Sequence, residues 1–176
     1  SWIALGNTII PPNYSTYYNS YNTASNVYKI SLNGHGNILT VGSPNSAESG
    51  QVFIYHYDDI SKNWNIQETI NPEFKFSKDT RFDFLCDKKI IEVKNVTLTR
   101  ENKIAEFPDA ITSRGTKHLI KLVDSIKKKY DPYVLFLTQI QGINNFRIAK
   151  DIDSTYYKEY LDAKKSGVSF LAYRCS

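Results

Sequence analysis

The spacing of apolar positions changes character once along the chain, near residue 71. Before that point, short runs of β-branched and aromatic residues alternate with polar ones: VYKISL at 27–32, NILTVGSP at 37–44, GQVFIYHY at 50–57 and NWNIQETI at 63–70. A period of two marks strands. The intervening Asn-Gly-His-Gly, Pro-Asn-Ser and Asp-Asp stretches supply turn chemistry. Residues 1–71 therefore predict an all-β antiparallel meander. Beyond them, strand-like runs at 81–86, 89–99, 101–108, 133–139 and 168–174 are interrupted by two helical patterns. Leu119, Leu122, Val123 and Ile126 fall at i, i+3, i+4 and i+7 within a helix predicted over 113–130, closed by Asp131-Pro132. A second helix is predicted over 154–165, with Asp153 or Ser154 as N-cap and Gly167 past its end. The order β-β-β-α-β-α-β predicts an α/β fold, a mixed sheet flanked by two helices. The chain thus reads as two domains, 1–71 and 72–176.

Charge sharpens this division. Residues 1–71 hold two basic against four acidic side chains, and residues 72–176 hold 20 basic against 14 acidic. The second part is therefore the candidate for a polyanionic partner, because phosphate backbones reward clustered Lys and Arg. No apolar run reaches the roughly 18 residues of a membrane span, so no membrane partner is expected. The opening SWIALGNTIIPPNYS has no basic n-region and no initiator Met; it reads as an excised piece of a longer chain and not as a signal peptide. Cys86 and Cys175 both lie in apolar strand-like runs. They read as buried free thiols in a reducing, cytoplasmic (intracellular) setting.

The chemistry concentrates in RFDF-LCDKKI-IEVKNVTL. Two apolar runs flank an Asp87-Lys88-Lys89 turn, as in a hairpin. This places Asp83 on one strand beside Glu92 and Lys94 on the next, and residues two apart on a strand share a face. Two carboxylates can hold a divalent metal while a lysine orients a water, the equipment of metal-assisted phosphodiester hydrolysis. The structural alternatives are a Glu92–Lys94 pair, or a surface Asp83–Lys89 pair contributing at most about 1 kcal/mol.

Further strings surround this stretch: FPDAITSRGTKHL at 107–119, YVLFLTQ at 133–139 and GVSFLAYRC at 167–175. With RFDF and EVKNVTL, they make residues 81–175 resemble the sugar fermentation stimulation protein (SfsA) family. The resemblance implies a restriction-endonuclease-like core of the PD-(D/E)XK superfamily and DNA as partner. On the residues' own chemistry, Asp83 and Glu92 with the Val93 carbonyl are expected to hold Mg²⁺ as cofactor, and Asp83, Glu92 and Lys94 are the candidate catalytic residues. Arg114, Lys117, His118 and Lys121 are expected to contact phosphates near a helix N-terminus, and Gln139 to line the same cleft. Asp109 of FPDA is expected to cap or brace the Arg114 region.

Residues 1–71 resemble instead an FG-GAP-type propeller blade, through SLNGHGNILTVGSP followed by SGQVFIYHY and a Trp-containing strand. Trp2 with Leu5-Gly6-Asn7-Thr8-Ile9 echoes Trp64 with Glu68-Thr69-Ile70, as where one blade closes and the next begins. The loops NGHGN and NSAESGQ lack an Asp-rich calcium series. The reading is thus a DNA-binding protein with a nuclease-like core. The alternatives are a non-catalytic module recognising protein or glycan, or a fused or truncated remnant.

Overall fold

The structure, a computed structural model, describes residues 29–43 and 50–175. The chain divides into two compact units between Glu73 and Phe74. The echo around Trp2 lies outside the described residues, as do Pro44 and most of the NSAESGQ loop.

The first unit is an antiparallel meander of β1 (Lys29–Leu32), β2 (Ile38–Ser43), β3 (Gln51–Asp58) and β4 (Asn63–Ser77). Asn33 shapes the first turn: its side-chain oxygen accepts the backbone N–H groups of Asn37 and Ile38, each at 3.0 Å. Val41, Phe53 and Tyr55 form a small core with Leu39 and Trp64 against it. Four open strands are seen, with no closed propeller among the described residues. β4 runs past the expected end at 70 and through Pro72, so residues 71–77 are strand; the unit boundary falls inside it, where Glu73 adopts a positive φ of 53°.

The second unit carries β5 (Thr80–Cys86), β6 (Lys89–Val96), β7 (Leu98–Glu101), β8 (Ile104–Phe107), α1 (Ser113–Lys127), β9 (Asp131–Thr138), β10 (Asn145–Ile148), α2 (Ser154–Ser166) and β11 (Ser169–Arg174). Within it the strand order is β5-β6-β9-β11: β5 and β6 are an antiparallel hairpin, while β6, β9 and β11 run parallel. Parallel neighbours need long crossovers, and α1 and α2 lie within the two that are used here. A second, three-stranded sheet has the order β10-β8-β7. The mixed α/β expectation therefore holds.

Several boundaries differ for local reasons. The predicted strand 89–99 divides at Thr97 into β6 and β7. Residues 101–103 turn, with Lys103 at φ 65°, so β8 begins only at Ile104. Helix α1 ends at Lys127 rather than at 130, because Lys129 takes a positive φ, and Asp131-Pro132 already belongs to β9. Strand β10 was not anticipated.

One face of the main sheet is far better covered than the other. Ile90, Glu92 and Val96 of β6 and Val134, Phe136 and Thr138 of β9 are buried, whereas the alternate Ile91, Val93, Leu135 and Leu137 are half-buried. The buried face receives Leu119 and Leu122 of α1 and Tyr156 and Ala163 of α2, which join one hydrophobic core with Phe82, Ile90, Val134 and Phe136. Both helices are capped as their sequences require. The Thr112 side chain accepts from Gly115 N at 3.1 Å, and Asp153 accepts from Tyr156 N at 2.8 Å. Gly167 ends α2 at φ 108°, a left-handed conformation that suits glycine.

Candidate metal centre

The middle of β6 places charge where the pleat demands apolar groups. Glu92 follows Ile90 on the covered face and is 3 % exposed. A lone carboxylate there would cost several kcal/mol. Two hydrogen-bond donors answer it: Lys94 Nζ and His118 Nδ1 both lie 2.6 Å from Glu92 Oε1. Burial pushes the Glu92 carboxyl upward, but the His118 hydrogen bond and the Lys94 charge outweigh it and hold the group below its ordinary value. Glu92 is therefore ionised at neutral pH. An ionised carboxylate only accepts hydrogen bonds, so His118 Nδ1 carries the proton and donates. The other oxygen, Oε2, is buried with no hydrogen-bond partner among the described residues, and so is the Tyr156 hydroxyl.

Asp83 meets the same strand one residue on. The β5–β6 register runs from Phe84↔Ile91 to Cys86↔Lys89. At the next position the Asp83 side chain takes over, its Oδ2 accepting the Val93 N–H at 2.6 Å. In an extended strand, N–H and C=O of one residue leave on the same edge, so the Val93 carbonyl also faces β5. The Asp83 carboxylate thus holds the Val93 N–H, while Lys94 and His118 hold the carboxylate of Glu92, the residue before it on β6. The oxygens of Asp83, Glu92 and the Val93 carbonyl fit magnesium or calcium: the ligands are hard oxygens, and one buried carboxylate oxygen has no protein partner among the described residues.

The remaining candidates separate. His118 is turned inward, 6 % exposed, with its ring edge-on to Phe82 at 5.7 Å; it belongs to the carboxylate cluster and not to the outer face of α1. Arg114 is exposed in the first turn of α1 and forms no ion pair among the described residues. Lys117 pairs with Asp79 at 2.6 Å, and Lys121 lies 3.6 Å from Asp124. Gln139 is exposed just beyond β9, and Asp109 is exposed before α1. Cys86 is buried as expected, but Cys175 is exposed, because it follows the end of β11; neither forms a disulfide.

One charged cluster went unanticipated. The Glu106 side chain is fully buried on β8, its Oε2 accepting from Arg100 Nε and its Oε1 from Arg100 Nη2 and Arg147 Nε, all at 2.8 Å. Asp151 pairs with Arg100 and Glu101 with Arg147 on the outside. The only local signal was a glutamate inside the apolar run IAEF.

Fold and site together define a mixed α/β protein with an acid–lysine–histidine cluster on its central strand. A family model described as "Sugar fermentation stimulation protein RE domain" matches residues 53–176, and the chain belongs to this SfsA family. The match starts within β3, inside the segment read above as blade-like. The sugar fermentation stimulation protein homolog of Pelagibacter ubique (strain HTCC1062) is 59 % identical over 112 residues, 61 % of this chain and 48 % of that protein. The homolog of Roseobacter denitrificans is 34 % identical over 79 % of this chain and 60 % of its own length. That of Bartonella quintana is 30 % identical over 95 % of this chain and 74 % of its own length. The chain thus spans about half the length of the first of these relatives. Among solved structures, Pyrococcus furiosus SfsA in complex with Ca²⁺ aligns with a TM-score of 0.55 at 14 % identity, over 84 % of this chain and 87 % of that one. At that identity the likeness speaks for the fold. No helix among the described residues is long and apolar enough to cross a membrane.

Proposed function

We propose that the second unit is a DNA-binding, nuclease-like domain of the PD-(D/E)XK type, working inside the cell and hydrolysing phosphodiesters with a divalent cation. The observation that carries the reading is the Glu92 carboxylate, ionised and buried, with Oε1 accepting two hydrogen bonds and Oε2 none among the described residues. Asp83, Glu92 and the Val93 carbonyl would hold Mg²⁺. The solved Pyrococcus furiosus SfsA, a complex with Ca²⁺, supports a hard divalent cation in a protein of this fold. When bound, such an ion supplies Lewis-acid polarisation of a phosphoryl oxygen and a more acidic water.

The chain's own residues do the rest. Lys94, its side chain 16 % exposed, reaches the site with its ammonium beside Glu92, where it offsets charge developing on the phosphorus oxygens. Asp83, through Val93 N–H, holds the β5–β6 edge at a fixed spacing. Arg114, at the N-terminal turn of α1, presents a cation where the helix end already favours anions. Lys117 and Lys121 flank it.

The test has two arms. A fluorescent DNA duplex titrated with the full chain is expected to bind with affinity that falls steeply as salt rises, through counterion release. Binding that ignores salt, or no binding, counts against DNA as partner. In the second arm, nicking of supercoiled plasmid should require Mg²⁺ and disappear in Lys94→Ala and Asp83→Asn; nicking that persists in both variants refutes this site as its source.

A further inference from the structure

We infer that His118 is the positioning residue of this centre. Its Nδ1–H grips Glu92 Oε1 so that Oε2 is the oxygen offered to a divalent cation. The inference rests on the metal-binding reading above.

A glutamate side chain can rotate about several bonds, so its two oxygens become distinct only when something outside its own strand holds one of them. Lys94 also bonds Oε1, but it sits two residues along the same strand on a flexible stem. It can follow the carboxylate wherever that goes. His118 comes from another element. Its neighbours on the buried stripe of α1, Leu119 and Leu122, are 2 % and 0 % exposed in the core. Its ring is braced edge-on by Phe82. One turn earlier, Gly115 lies so close to α2 that a Cβ there would approach Tyr156 Cε2 to 3.2 Å, which fixes the seating of this turn of α1. The imidazole is therefore a rigid reference for the carboxylate. Both donors fall on Oε1, and neither falls on Oε2. Hydrogen-bond partners of metal-binding carboxylates characteristically tune affinity, and their loss costs about 10–100-fold.

The test uses the full chain, with Ca²⁺ as probe, in isothermal titration of wild type, His118→Phe and His118→Asn. Thermal melting in chelator is measured alongside. His118→Phe is expected to weaken Ca²⁺ binding about 10–100-fold. His118→Asn, whose amide N–H sits near the position of Nδ1–H, should recover most of the loss. Equal Ca²⁺ affinity in wild type and His118→Phe overturns the inference while leaving the metal site standing. The same holds if His118→Asn binds as weakly as His118→Phe at matched melting temperature. Failure of the wild type itself to bind Ca²⁺ overturns the metal-binding reading, and this inference with it. A wild-type measurement covers the case in which His118→Phe does not fold: long-range ¹H–¹⁵N spectra in chelator should show the His118 proton on Nδ1, and a proton on Nε2 with bare Nδ1 overturns the proposal.

Discussion

Replacing Glu106 by Gln removes one charge from a place where its worth can be worked out. The Arg100 hydrogen bonds, outweighing burial and aided by Arg147, hold the Glu106 carboxyl at about 2, against an ordinary value of 4.5. A carboxyl depressed on folding contributes stability that is fully present above the unfolded-state value and is lost as pH falls from there toward the folded-state value. The window is therefore pH 4.5 down to about 2. At 1.36 kcal/mol per pH unit, the ceiling is about 3 kcal/mol. The side chains of Arg100 and Arg147 are 38 % and 42 % exposed, so water screens their charge. The expected contribution is accordingly about 1–2 kcal/mol. Urea unfolding followed by circular dichroism at 222 nm reports on this unit, because both described helices, α1 and α2, lie in it. Glu106→Gln should be less stable than wild type by about 1–2 kcal/mol at pH 7, and more than half of that difference should be gone by pH 3. A stability difference that is the same at pH 7 and pH 3 would refute the electrostatic account and leave only a packing or shape effect.

Three backbone-level predictions accompany it, each read by chemical denaturation of the single variant. Gly115→Ala would place a methyl 2.8 Å from Thr112 Oγ1 and 3.2 Å from Tyr156 Cε2; it should destabilise by about 1–3 kcal/mol, although alanine is intrinsically the better helix former by about 1 kcal/mol, so a stabilised variant contradicts the packing geometry. Asp153 caps α2 and also accepts the Thr112 N–H at 2.8 Å, joining the N-termini of both helices; Asp153→Ala should cost about 1–3 kcal/mol and Asp153→Asn distinctly less, and equal losses would argue against the shared cap. Gly167→Ala at φ 108° should cost about 1–2 kcal/mol, and a neutral result would mean that α2 ends differently.

Much of the site was legible because it is local. The alternation in LCDKKI-IEVK fixes the hairpin and sends Glu92 to the same side as Ile90, and the caps Asp153 and Gly167 are single-residue signals. His118 was the residue most misplaced by pattern. It precedes Leu119 by one and Leu122 by four, which puts it on the edge of the buried stripe, yet it also adjoins Lys117. A position at that edge is assigned by what lies opposite it, and Glu92 is 26 residues away. Strand β10 was invisible for a related reason. NFRI is four residues long and half polar, and it becomes a strand only by pairing with β8, where Asn145 meets Ile104. The Arg100–Glu106–Arg147 cluster depends on that same pairing. The blade-like reading of residues 1–71 came from the strings SLNGHGNILTVGSP and SGQVFIYHY and from the Trp echo, whose strand period and turn composition any antiparallel meander shares. Within residues 29–71 those signals gave the strand positions and their order, but did not separate one all-β architecture from another.

Two glutamates sit in the interior of this unit, and they are satisfied differently. Glu106 has both oxygens bonded, three contacts from two arginines, with Asp151 and Glu101 balancing the guanidiniums outside. It is a closed arrangement, and everything it does is accounted for by holding β7, β8 and β10 together. Glu92 is no more exposed in any useful sense, yet its two donors crowd onto one oxygen. If stability alone had placed it, spreading Lys94 and His118 over both oxygens would lower the cost of burial, and an apolar side chain in its place would avoid that cost altogether. A polar group that breaks the rule its neighbours obey is the kind of local inconsistency that function leaves in a fold. The bare oxygen is on the central strand, next to the peptide link that Asp83 clasps. On the proposed metal-binding reading, that asymmetry, more than the presence of two acids and a lysine, distinguishes Glu92 from a structural ion pair.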